Sequence, residues 1–164
     1  MACSGVLFAL TESQAALLAA TRDDAEVRAF VEQVENDWDP DWLCEVDKAW
    51  DALHRCLSDG TLRLGEHGGG VLELAILGGR QHHEADDYIV AHVDADQVAA
   101  VAAALSEVDK QWLGERYDQI DPDDYQALLD DEDFEYTWQY LQDVRDFYKH
   151  AAAGGRSVVF TVDQ

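Results

Sequence analysis

Basic residues are scarce in this chain. Against 35 Asp and Glu stand only 11 Lys and Arg in 164 residues, a formal charge of −24 at pH 7. Phosphate contacts dominate nucleic-acid affinity, so a field of this sign argues against direct binding of DNA or RNA and against docking on an anionic membrane. A basic protein or a cation remains a complementary partner, and plain solubility is the bland alternative. Cysteine is equally sparse. Cys3, Cys44 and Cys56 are odd in number and form no C-x-x-C pair. That speaks against a disulfide framework and a thiolate zinc site, and for a reducing, cytoplasmic setting. No apolar run approaches the roughly 18 residues of a membrane span. No Lys or Arg precedes the short apolar stretch 5–10, the first being Arg22, so no secretory signal is expected. The glycine clusters Gly68–Gly70 and Gly78–Gly79 match neither dinucleotide nor phosphate-loop patterns. No cofactor is expected.

What is present is the composition of a packed protein: 48% hydrophobic residues, including five Trp. The length fits one domain over residues 1–164, large enough to need no metal or disulfide staple. Gly5–Leu10 has strand length and ends at Thr11, whose spacing to Gln14 is that of a capping box. Helical patterning follows to about Asn36 and breaks around Pro40. Val46, Trp50, Leu53 and Leu57 share a narrow arc, which predicts a helix over Glu45–Leu57 closed by Gly60. Val71–Leu77 reads more readily as helix than strand.

Tyr88–Val93 is a second strand. Asp94 with Gln97 repeats the capping theme before a helix to about Leu105. Ser106 restarts a helix to about Tyr117, and a short helical piece spans Tyr125–Leu129. The longest helix runs from the Asp130–Asp133 acids to about Ala153, before a third strand from Ser157. The expected fold is mixed α+β: a small sheet of about three short strands packed with about six helices in a single compact domain. The first and last strands are candidates for pairing.

Three clusters could carry chemistry. On the expected 45–57 helix, Asp47, Asp51, His54 and Ser58 form a polar stripe. A carboxylate can hold a histidine in one tautomer for general-base work, although a boundary histidine more often caps a neighbouring element. His82, His83 and Glu84 are a weak metal candidate. Adjacent histidines in an extended chain point to opposite sides, and His67 or His92 could complete a site only through folding. The acid-rich 118–135 segment lacks the glycine and ligand pattern of an EF-hand. It suits a docking face for a basic protein. Trp38 and Trp42 lie in a polar turn, either exposed for self-association or folded back.

The segment Val46-Asp-Lys-Ala-Trp-Asp-Ala-Leu-His-Arg-Cys-Leu-Ser-Asp-Gly60, followed by Ala75-Ile-Leu-Gly78, resembles the signature of the YfbM-like family, a bacterial family of unassigned function. The resemblance implies a compact mixed fold in the cytoplasm and supplies no activity. The residues it carries over are Asp47, Lys48, Trp50, Leu53 and His54. Trp50 and Leu53 fit packing roles. Asp47, Lys48 and His54, with Trp50 beside them, are the binding candidates. Two functions follow. One is a non-enzymatic, acidic interaction domain, inhibitor- or immunity-like or regulatory, for a basic protein partner. The other is a small hydrolase-like enzyme using His54 with Asp47 or Asp51 at a cleft. The missing catalytic motif favours the first.

Overall fold

The computed structural model describes residues 3–65, 68 and 70–164. Two strands from opposite ends of the chain form its centre: β1 (Gly5–Leu10) pairs antiparallel with β5 (Ser157–Asp163), Phe8 opposite Val159. Outward from this pair lie β2 (Leu43–Asp47) on one side, and β4 (Tyr88–Val93) then β3 (Arg80–Gln81) on the other. All neighbours are antiparallel. Because pleated side chains alternate, β1 and β5 send residues to both faces. Phe8, Leu10 and Val159 meet α1 (Glu12–Ala19) and α2 (Asp24–Asp37) through Leu18, Val27, Phe30 and Val31. Leu7, Ala9, Val158 and Phe160 join the larger core beneath α3 (Trp50–Leu57), α4 (Ala95–Leu105), α5 (Lys110–Tyr117) and α6 (Asp131–Ala153). A strand covered on both faces is apolar at every position, which is why these segments read as continuous runs.

The local signals place most helix starts. Thr11 and Gln14 form the reciprocal capping box of α1, and Asp94 with Gln97 does the same for α4. Asp130 caps α6 by accepting from the Asp133 N–H, and three acids fill its first turn. Helix α5 is capped by Asp109; Ser106 instead ends α4.

The sheet has five strands among the described residues, not about three. β3 is two residues long and carries no periodicity to detect. β2 occupies the beginning of the stretch expected as helix 45–57, and α3 starts only at Trp50. Leu43–Asp47 alternates as a sheet-edge strand does, with Cys44 and Val46 buried and Glu45 exposed. Val46 stands four residues before Trp50, so it completes a helical spacing by coincidence while its side chain serves the sheet. Asp47 then turns the chain with φ +46°, a left-handed conformation that Asp tolerates better than most residues. The 71–77 stretch yields a 3₁₀ helix over Val71–Ala75, and the 125–129 stretch forms no helix.

Candidate functional site

Where α3 meets the 118–130 loop and the start of α6, a cavity of about 520 Å³ opens. Its centre is Arg55, 4% exposed although it is an arginine. α3 places Asp51 one turn before it, and Arg55 Nε donates to Asp51 Oδ1 at 2.6 Å. Across the cavity Arg55 Nη1 donates to Asp124 Oδ2 at 2.5 Å. The guanidinium also lies 5.6 Å from the centroid of the Tyr125 ring. Burial opposes its charge, and the hydrogen bonds it donates to Asp124 and Asp51 outweigh that, so the Arg55 pKa is raised. Burial dominates at Asp51 and pushes its carboxyl above the usual range, against the pull of Arg55.

Asp133, in the first turn of α6, is the third carboxylate lining the cavity. Its Oδ2 accepts from Tyr117 at 2.6 Å and Tyr125 at 3.0 Å. Burial, reinforced by this carboxylate, raises both phenol pKa values, so each remains a donor. The three carboxylates each engage through one oxygen: Oδ1 of Asp51, Oδ2 of Asp124 and Oδ2 of Asp133. Among the described residues their other oxygens accept no side-chain or loop hydrogen bond. At the rim, Lys48 adds a cation and Trp50 an aromatic wall. Trp50 Nε1 is anchored on the Cys3 carbonyl at 2.8 Å.

Asp47 supports this rim from behind. It accepts from Ser4 Oγ at 2.7 Å and Tyr136 Oη at 2.8 Å, and the Lys48 N–H donates to Tyr136 Oη at 3.2 Å. The Ser4 hydroxyl, followed by Tyr136, holds the Asp47 carboxyl below its ordinary value.

Of the sequence candidates, Lys48, Trp50 and Asp51 line this cavity. His54 does not. It is 2% exposed and sits beneath α3, its Nδ1 accepting the Leu77 N–H at 3.4 Å. The stripe that linked it to Asp47 dissolves because Asp47 ends strand β2 whereas His54 belongs to helix α3. Asp51 turns to Arg55 instead. A hydrolase centred on His54 with Asp47 or Asp51 thus lacks its cleft geometry.

His82, His83 and Glu84 also fail to converge. His83 is buried, with Arg28 Nε donating to its Nε2 at 3.3 Å and its Nδ1 3.1 Å from the Ala85 carbonyl. The Glu84 side chain is exposed. His82 meets His92 across the strands, ring centroids 5.8 Å apart. His67 lies outside the described residues, and among those described no three His, Cys, Asp or Glu side chains gather as a metal site. Trp42 is folded back, stacked on His150 at 4.2 Å and beneath Arg156 at 3.6 Å, whereas Trp38 remains partly exposed.

A family model described as "Domain of unknown function (DUF1877)" matches residues 1–161. The chain belongs to this family. The crystal structure of YfbM from Escherichia coli, described as a protein of unknown function, has the same fold: TM-score 0.64 over 97% of this chain and 99% of that one. At 16% identity that likeness concerns fold alone. No curated protein matches. The 46–60 resemblance thus led to the right family, and three of its carried-over residues, Lys48, Trp50 and Asp47, lie in or behind the cavity of this DUF1877 domain.

Sequence reasoning missed Arg55, Asp124, Tyr125, Asp133 and Tyr136 as parts of the site. Arg55 did leave a trace: a rare base four residues after Asp51 and two before the buried Leu57. Asp124 left none, since 69 residues separate it from its partner.

Proposed function

We propose that this domain is a non-catalytic binding module whose cavity receives a basic side chain of a protein partner, in the manner of an inhibitor, immunity or regulatory protein. One observation carries the reading: Asp51, Asp124 and Asp133 line the same cavity, each with an oxygen left over after the internal bonds are made. A lysine or arginine head entering there replaces water with charge-assisted hydrogen bonds, which are about twice as strong as neutral ones. Arg55 and the tyrosines fix the acceptors beforehand, so little ordering accompanies binding. The surroundings suit the same partner. From Asp118 to Gln142 there is no basic residue, and such a face steers a basic protein toward the cavity at low ionic strength.

The test is titration with a short arginine- and lysine-rich peptide, followed by the fluorescence of the rim tryptophan. A peptide of the same length with glutamates is the control. The basic peptide is expected to bind, to weaken steeply with salt, and to lose affinity in Asp124→Asn, whose half-exposed side chain can change without disturbing the core. Salt-independent binding, or equal affinity in the variant, overturns the reading.

A further inference from the structure

A second cavity, of about 350 Å³, opens on the other face of the sheet, between α2 and the ends of β1, β4 and β5. Pockets for small molecules run from about 300 Å³ upward. Arg28, Val31, Glu32 and Glu35 recur at three- and four-residue steps, so one stripe of α2 roofs it. Below, Val6 stands opposite Thr161 and Tyr88 opposite Asp163, all on the face turned to α2. Tyr88 bridges the charged groups. The Arg28 guanidinium lies 4.8 Å from its ring centroid, and its hydroxyl donates to Glu35 Oε1 at 3.5 Å.

Charge is divided along this cavity. Arg28 donates from Nε to His83 and from Nη2 to Asp87 at 2.8 Å, which fixes the guanidinium. Its Nη1/Nη2 edge is left without a partner among the described residues. Glu32 stands one helical turn from Arg28, the usual spacing of a helical ion pair, yet the arginine pairs with Asp87 instead. Among the described residues the Glu32 and Asp163 carboxylates accept no hydrogen bond, and Glu35 accepts only the long one from Tyr88. Partial burial, with the charges of Asp163 and Glu32 adding to it, raises the Glu35 pKa against the pull of Tyr88. Burial, then the Glu35 charge, pushes the Tyr88 phenol up to about 12 against the hydrogen bond from Thr161, so it stays a donor. Two helical turns, about 10 Å, separate Arg28 from Glu35 along α2. Carboxylates therefore crowd one end of the cavity with no cation among them, and an open guanidinium edge stands toward the other.

We propose that this cavity binds an aliphatic α-amino acid as its zwitterion, with the carboxylate on Arg28 and the ammonium between Glu35 and Asp163. The open Nη1/Nη2 edge presents two parallel donors, the fork that a carboxylate accepts in bidentate fashion. An ammonium brings three donors and replaces like-charge crowding with charge-assisted hydrogen bonds. Val6 and Val31 give the side chain aliphatic surface below and above. The nearby hydroxyls are already engaged, Thr161 with Tyr88 and Ser4 with Asp47. A plain amine leaves Arg28 unused, and a plain carboxylate meets three like charges, so both poles of the ligand are needed. The site shares no lining residue with the Arg55 cavity and stands independently of it.

The full chain is titrated with leucine, isoleucine and valine at pH 7 and physiological salt, which screens the diffuse charge of the surface. Calorimetry gives the stoichiometry, and NMR follows the backbone amides. At least one of these amino acids is expected to bind once per chain. The amides of Val6, Tyr88, Thr161 and Asp163 should then shift while those of Asp51, Arg55 and Asp124 stay in place. N-acetylleucine and 3-methylbutylamine each lack one pole, and each is expected to bind at least about tenfold more weakly than leucine, the usual worth of a hydrogen bond to a charged group. Glu35→Gln and Asp163→Asn relieve the like-charge crowding, so both are expected to melt no lower than wild type. Each should still lose at least about tenfold in amino-acid affinity. Absence of binding by all three amino acids overturns the proposal. So do shifts confined to other parts of the chain, undiminished binding of either one-pole analogue, or undiminished affinity in both variants.

Discussion

Replacing Arg55 by methionine isolates the energetic centre of the cavity. The substitution preserves most of the apolar stem and removes the guanidinium, leaving Asp51 and Asp124 without it. Asp124 is little affected, because its side chain is 59% exposed and water takes over. Asp51 is not so placed: its side chain is 26% exposed, and burial already raises its pKa despite the arginine. Breaking a fully buried pair costs about 3–5 kcal/mol, so a pair with one half-buried partner should cost about 2–4 kcal/mol at pH 7. At a urea slope of about 2 kcal/mol/M, the unfolding midpoint falls by about 1–2 M.

The pH dependence carries the sharper signature. A carboxyl whose folded pKa lies above its unfolded value of about 3.9 stabilises the fold most when protonated, and that contribution is lost as pH rises through the folded pKa. Arg55 restrains this rise at Asp51, so its removal lifts the Asp51 pKa further. The deficit of the variant is then largest at neutral pH and shrinks as pH falls toward the acidic range, where Asp51 takes up a proton. Adding Asp51→Asn to Arg55→Met should recover part of the loss, a coupling expected of contacting residues. A deficit under about 1 kcal/mol, or one constant with pH, would refute a buried ion pair as the organiser of the cavity.

Three further outcomes follow from the same contacts. Tyr136→Phe removes the donor to Asp47 and should destabilise by about 1 kcal/mol in urea unfolding; because that bond helps hold the Asp47 pKa down, the stability lost is present above the unfolded pKa and vanishes in both proteins as pH falls through the folded one. His54→Ala opens a void under α3 and frees the Leu77 N–H, so thermal unfolding should show a loss of about 2–4 kcal/mol, with basic-peptide affinity unchanged; a stable variant with altered binding would return His54 to the site. Gly78→Ala drives a Cβ into the Glu73 carbonyl, and should cost about 1–3 kcal/mol as measured by the denaturant midpoint.

Local chemistry was legible wherever it acts over three or four residues. The caps at Thr11 and Asp94, the acids opening α6 and the strand character of the terminal segments all follow from side chains meeting their own backbone neighbours. The extended state of Leu43–Asp47 was not legible. Its alternation is confined to one face of a short edge strand, and Val46 also fits a helical interval with Trp50. What decides between the two is pairing with β1, where Leu43 stands opposite Phe8, 35 residues earlier in the chain. β3 exists only because β4 offers it an edge.

The candidate site divides in the same way. By itself the sequence determined the charge excess, the absence of nucleotide and thiolate motifs, the family, and the interest of Lys48, Trp50 and Asp51. Composition and short-range spacing suffice for the charge, the missing motifs and Asp51; the family, Lys48 and Trp50 came with the resemblance of the 46–60 segment. Only the tertiary structure decided that Asp47 props the rim through Ser4 and Tyr136, that Arg55 and not His54 is the group Asp51 serves, and that His82 faces His92 and not Glu84. Each of those choices pairs groups far apart in the chain or assigns a side chain to one face of the sheet. They depend on which polar groups are taken out of water together, and burial is settled only when the layers close.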